Sequence, residues 1–169
     1  FDTYVEGDCN RLARSAGFAV ANKPGGTSFN PLVVHGGVGL GKTHLLHAIG
    51  NQVKVNFSDK TVLYVPSEKF TNQFIDYLKN NAVNEFIHFY QMIDVLMVDD
   101  IQFFANKDRT QDIFFHIFNH LHQSGKQIIL SSDRSPRDLE GIEERLLSRF
   151  KMGLTTDISV PGFETRMAI

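Results

Sequence analysis

The sequence holds one cysteine, Cys9, among 169 residues, and no Cys-x-x-Cys pair. That excludes a disulfide framework and a cysteine zinc site, and it fits a reducing cytosol. Also missing is any apolar run near the roughly 20 residues that a bilayer-spanning helix needs. No signal-peptide pattern opens the sequence. Charge of one sign is not in excess: 17 Lys and Arg stand against 19 Asp and Glu, a formal net charge of −2. No global basic field marks a nucleic-acid binder, so any DNA contact must use local patches. There is no internal repeat and no low-complexity tract. What is present is ordinary for a soluble globular domain, with 42% hydrophobic and 21% charged residues. The length suits one domain with a proper core. "FDTYVEG" begins without Met, and "GFETRMAI" stops partway through what reads as a new helix. The expectation is an excised piece of a longer protein.

Short apolar runs alternate with amphipathic stretches. Strands are expected at Leu32–His35, Thr61–Val65, Asp94–Val98, Gln127–Ser131 and Met152–Ile158. Helices are expected at Asp8–Asn22, Lys42–Asn56, Ser67–Asn80, Val83–Gln91, Arg109–Ser124 and Glu140–Phe150. The clearest helix carries Ile113, Phe114, Ile117, Phe118 and Leu121 on one stripe. The strand runs are continuously apolar, which predicts burial on both faces. Strand then helix, repeated, predicts an α/β fold with a parallel five-stranded sheet sandwiched by helices. "NKPGGTSFNP" (22–31) is the one obvious Gly- and Pro-rich loop.

The run "VVHGGVGLGKTHLL" contains Gly36-x-x-x-x-Gly41-Lys42-Thr43, the full P-loop pattern, between a predicted strand and a predicted helix. Gly36, Gly37, Gly39 and Gly41 let the backbone turn tightly and aim several N–H groups at one point. That point lies at a helix N-terminus, which favours phosphate. Lys42 supplies a mobile cation for the β- and γ-phosphates, and the Thr43 hydroxyl can ligate Mg²⁺. A P-loop calls for a second, acidic site, and "DVLMVDDIQFF" ends its apolar run in Asp99 and Asp100. Asp99 can hold the Mg²⁺ shell, and Asp100 can orient and deprotonate the attacking water.

The next strand ends in "SSDRSP". Ligands in open α/β sheets lie at the carboxyl ends of strands. Asp133 can therefore face the γ-phosphate or the water; the alternative is an Asx-turn or a helix cap before Ser135 and Pro136. In "EERLLSRF", Arg145 and Arg149 fall at i and i+4 on one helix face. Two guanidiniums there repel unless an anion faces them, and a phosphate across a subunit boundary would serve. The alternative is a pair of surface arginines bound to Glu143 and Glu144. His116 with His120, and His44 with His47, share helix faces but lack an HExxH frame, so partly exposed helix histidines explain them better than zinc. The phenylalanines follow helix and strand spacing and read as core.

"NPLVVHGGVGLGKTHLLHAIGN", "VLMVDDIQFFANKDRTQDIFFHIFN", "IILSSDRSP" and "GIEERLLSRF" together resemble the AAA+ ATPase domain of the DnaA family of bacterial replication initiators. The opening "FDTYVEGDCNRLARSAGFAVANKPG" is similar to that family's N-terminal segment. The resemblance implies that residues 1–169 are the N-terminal part of an AAA+ core, cut before the helical lid. It makes Gly36 to Thr43 the Walker A motif, Asp99 and Asp100 Walker B, and Asp133 sensor 1. It implies that Arg149 is an arginine finger offered to a neighbour's ATP, with Arg145 a second arginine at that junction. Val5 and Asn10 fall in the segment that packs near adenine. Ile75, Lys107 and Arg109 match positions that engage single-stranded origin DNA, although Val is familiar where Ile75 stands. ATP or ADP with Mg²⁺ are the implied cofactors. The implied partners are origin DNA and further copies of the chain in an ATP-dependent helical oligomer. Duplex origin boxes would be read by a C-terminal helix-turn-helix domain. The replicative helicase, regulators and acidic phospholipids follow from the resemblance alone, as does a cytoplasmic, nucleoid-associated location.

Three functions compete on this sequence. One is an initiator switched on by ATP and off by slow hydrolysis. Another is a related helicase loader, which shares the fold and many motifs. The third is a small-molecule P-loop kinase, which would need an acceptor pocket and would leave Arg145 and Arg149 unexplained. The opening segment and "FFANKDRTQ" favour the initiator.

Overall fold

A computed structural model of the chain describes residues 1, 7, 10–37, 39 and 41–159. Five strands, β1 (Leu32–His35), β2 (Val62–Pro66), β3 (Val95–Asp99), β4 (Gln127–Ser132) and β5 (Leu154–Asp157), form one sheet. The order is β2-β3-β4-β1-β5, and every neighbouring pair is parallel. Parallel neighbours require crossovers. Helix α1 (Arg11–Asn22) precedes the first strand, and α2 (Lys42–Asn56), α3 (Ser67–Lys79), α4 (Val83–Gln91), α5 (Asp108–Gln123) and α6 (Glu144–Phe150) supply the crossovers. Every expected strand and helix is present, although several ends move.

Strand alternation divides the core in two. Leu32, Val34, Val95, Met97 and Ile129 point to one face, where Ala13, Val20, Leu45, Ile49 and Val53 of α1 and α2 cover them. Val33, Leu96, Val98, Ile128 and Leu130 point to the other, under α3, α4, α5 and α6. There Phe70 meets Phe86, Tyr90, Phe104 and Phe114 with ring centroids 5.1–5.8 Å apart, all near edge-on. The α5 stripe buries Phe114, Ile117, Phe118 and Leu121 completely, with Ile113 only partly covered.

Two expectations need correction. Burial on both faces holds for the central strands β3 and β4, but β2 and β5 lie at the edges and are half-covered. The helix expected from Glu140 begins only at Glu144. Gly141 has φ +74, a left-handed turn that a helix cannot contain, and a short 3₁₀ turn at Pro136–Asp138 occupies the approach. The 22–31 loop is tied to the strand ends by side chains: buried Gln127 donates to Phe29 O at 2.8 Å, and Asn30 accepts from Ile128 N at 3.0 Å.

Candidate functional site

At the carboxyl end of β1 the chain passes into the glycine run and re-enters helix at Lys42. Gly39 and Gly41 hold φ +81 and +92, conformations a side chain resists, and Gly41 is the residue that caps α2. The first turn of α2 therefore borders a cavity of about 380 Å³. Gly39, Gly41, Lys42, Thr43, His44 and Asp100 line it. Lys42 is not the mobile cation pictured from the sequence. It is 7% exposed, and its ammonium donates to Gly36 O at 2.6 Å and Gly37 O at 2.9 Å. The loop's own carbonyls hold that charge beside the cavity.

Asp99, the last residue of β3, is 2% exposed. A buried carboxylate must be hydrogen-bonded, and three hydroxyls meet the need. Thr43 Oγ1 donates to Oδ2 at 2.6 Å, Tyr64 OH donates to the same oxygen, and Ser131 Oγ donates to Oδ1. Burial and then Asp99 itself keep the Tyr64 phenol protonated far above neutrality. The Thr43 hydroxyl belongs to a residue lining the cavity and the Asp99 carboxylate is bonded directly to it, an all-oxygen pair of the kind a hard cation such as Mg²⁺ takes. The residues present fit that ion.

Asp100 follows with φ +59. Its backbone is pinned on both sides: its N–H donates to Ser131 Oγ at 2.8 Å and its carbonyl accepts from Ser67 Oγ at 2.6 Å. Ser131 thus orients both acids with one hydroxyl. Burial, then the neighbouring Asp99 charge, raises the Asp100 pKa above the ordinary carboxylate value. A raised carboxylate is a better base at neutral pH.

Asp133 is not among the described residues that line this cavity. Its carboxylate is paired bidentately with Arg134 at 2.9 Å through both oxygens, and it borders a second cavity, of about 470 Å³, with Gln102, Asn106 and Glu140. It forms no helix cap, because Ser135 precedes the 3₁₀ turn. Gln102 connects it to the acid pair: Oε1 accepts from Asp133 N at 3.2 Å while Nε2 faces Asp100 Oδ1 at 3.4 Å.

Arg145 and Arg149 do share a face of α6, packed over the Phe115 ring at 4.4 and 5.5 Å. Arg145 is bound to Glu143 at 2.8 Å and to Asp112. Arg149 donates from Nε to Asn119 Oδ1 at 2.8 Å, and no carboxylate pairs with it among the described residues. Asn10, 6% exposed, precedes α1, and its Oδ1 accepts from Gly7 N at 2.9 Å. Val5 lies outside the described residues. Ile75 is 38% exposed on α3. Lys107 caps the start of α5, Arg109 is its second residue, and both cations stand exposed without a hydrogen bond or ion pair among the described residues.

The family model described as the bacterial DnaA ATPase domain matches residues 1–157. The chain belongs to the bacterial DnaA ATPase domain family. A chromosomal replication initiator protein DnaA from Flavobacterium psychrophilum is 64% identical over all 169 residues, which span 35% of that protein. The chain thus covers about a third of the length of the curated relatives it matches. Domain III of the Thermotoga maritima DnaA superposes with a TM-score of 0.94 at 47% identity, over 98% of this chain and 68% of that one. A DnaA structure described as bound to AMPPCP and single-stranded DNA superposes at 0.90 with 41% identity, over 95% of this chain and 49% of that one. The helicase loader DnaC superposes at 0.78 with 18% identity, a likeness of fold alone.

Pattern reading of the sequence passes over Tyr64, Ser131, Ser67, Gln102 and Asn119. Ser131, two residues before Asp133 at a strand end, carries the one usable signal.

Proposed function

We propose that the chain is the ATP-binding core of a chromosomal replication initiator, and that bound ATP switches on assembly on origin DNA. The observation that carries the reading is the meeting of Lys42, Thr43 and Asp100 at one cavity at the carboxyl ends of β1 and β3, with Asp99 hydrogen-bonded to Thr43 behind it. The N-terminal end of α2 and the Lys42 ammonium would receive the phosphates. Thr43 and Asp99 would hold Mg²⁺, which neutralises charge on the β- and γ-phosphates. Asp100, with its raised pKa, would take a proton from the attacking water. Two features support slow hydrolysis suited to a switch. Asp133 is engaged with Arg134, and Arg149 is half-exposed with no carboxylate partner among the described residues, so it could reach a neighbour's nucleotide. A neighbour must therefore arrive before the site is complete. Ile75, Lys107 and Arg109 are exposed for single-stranded DNA, and the DNA-bound relative supports that role.

The test is sedimentation of a protein carrying this domain at the length of its curated relatives. ATP with Mg²⁺, but not ADP, is expected to produce large assemblies and to open an origin duplex. Equal sedimentation in ATP and ADP overturns the reading.

A further inference from the structure

The two arginines of α6 are treated differently by their surroundings. Arg145 sits in an anionic clamp of Glu143 and Asp112, with Glu143 first in raising its pKa further. Its charge is already matched within the subunit. Arg149, one turn on, is held by neutral groups. Asn119 accepts from Nε, the Phe115 ring lies under the guanidinium, and Met152 Sδ stands 3.5 Å from Nη1. A neutral acceptor fixes direction without spending charge. The guanidinium has five N–H donors in a planar fork. Anchoring the Nε edge leaves the Nη edge with donors to spare and a full positive charge.

We infer that Asn119 and Phe115 of α5 are positioning residues for Arg149: they aim its guanidinium while leaving it un-neutralised for an anion on a neighbouring subunit. The inference rests on the proposed role of Arg149 in trans. It explains why the contact to Arg149 is an amide where the contacts to Arg145 are carboxylates. A residue serving only to bind α6 to α5 would do better as an acid, because a carboxylate adds the attraction of opposite charges and can accept two guanidinium donors at once. Phe115 adds a flat, uncharged surface that both guanidiniums share, so Arg145, clamped by its carboxylates, also braces the ring under Arg149.

The experiment uses the full-length protein with Asn119→Asp, Asn119→Ala, Phe115→Leu and Arg149→Ala. Three quantities are read: the melting temperature, the affinity of the dilute monomer for an ATP analogue, and the ATP-dependent assembly by sedimentation. Asn119→Asp is the decisive variant, since it keeps the acceptor and adds charge. It is expected to melt no lower than the parent and to bind nucleotide normally as a monomer. Its assembly should nevertheless weaken by about ten- to a hundredfold, the worth of one charge-assisted hydrogen bond. Asn119→Ala and Phe115→Leu should weaken assembly less, since they loosen the guanidinium without cancelling its charge. If Asn119→Asp assembles like the parent while Arg149→Ala does not, the positioning role is overturned and the finger stands. If Arg149→Ala also assembles normally, the trans role itself falls.

Discussion

Thr43 Oγ1 donates a hydrogen bond of 2.6 Å to Asp99 Oδ2 across 56 residues of sequence. This bond joins the first turn of α2 to the end of β3, and it sets the spacing of the oxygen pair proposed for Mg²⁺. Asp99→Asn exchanges one acceptor oxygen for an amide donor facing hydroxyls that already donate. Weaker nucleotide binding is expected in Mg²⁺, and parent and variant should converge in a chelator. Titrating a fluorescent ATP analogue in both conditions checks this, and a loss that persists unchanged in the chelator contradicts the assignment.

Asp100→Asn should separate chemistry from binding. Nucleotide affinity is expected to survive, and hydrolysis to be lost, because only proton removal is affected. The same variant has a pH signature. Burial and Asp99 raise the folded-state pKa of Asp100, so the native protein holds that proton more tightly than the unfolded chain does. The ionised form therefore subtracts from stability as pH rises above the ordinary carboxylate value, about 4, and through the raised one. Asp100→Asn should melt above the parent at pH 7 to 8, and that advantage should shrink as pH falls toward 4. Melting curves across that window check the sign.

Phe70 packs edge-on against four rings and is fully buried. Phe70→Ala is expected to cost about 3–5 kcal/mol, the range for deleting a buried ring. Urea unfolding of this domain measures it. A loss under about 1 kcal/mol would mean that the site collapses far better than such cores do.

The exposed cations Lys107 and Arg109 give a salt-dependent prediction. Replacing both by Ala should leave ATP binding and assembly intact but weaken single-stranded DNA binding. The log–log salt dependence should flatten by about 0.7 for each phosphate that the variant no longer neutralises. Anisotropy of a labelled oligonucleotide over a salt series reads the slope, and an unchanged slope excludes the proposed phosphate binding.

Much of this was legible because the P-loop is local. Its glycines, Lys42 and Thr43 are consecutive, and β1 and α2 begin and end where the pattern placed them. The acid pair was legible for the same reason, as two adjacent residues closing one apolar run. The network behind it was not. Tyr64 and Ser131 reach Asp99 only because parallel pairing brings the ends of β2, β3 and β4 side by side. A tyrosine in mid-strand has no signature of its own. Asn119 was hidden likewise, as a polar residue on an amphipathic helix whose partner lies 30 positions away. The start of α6 escaped the pattern because periodicity continues past Gly141, whose left-handed backbone decides the boundary.

If the cavity at Gly41, Lys42 and Thr43 is an ATP site, Lys42→Ala must weaken nucleotide binding there. Lys42 also ties down the loop through Gly36 O and Gly37 O, so the variant must first be shown to melt as one cooperative transition. Calorimetric titration of the full-length parent and variant with an ATP analogue in Mg²⁺ is the measurement. The expected result is a loss of about ten- to a hundredfold or more in affinity, from the removal of a charged donor to phosphate. Equal affinities in a folded variant would contradict it.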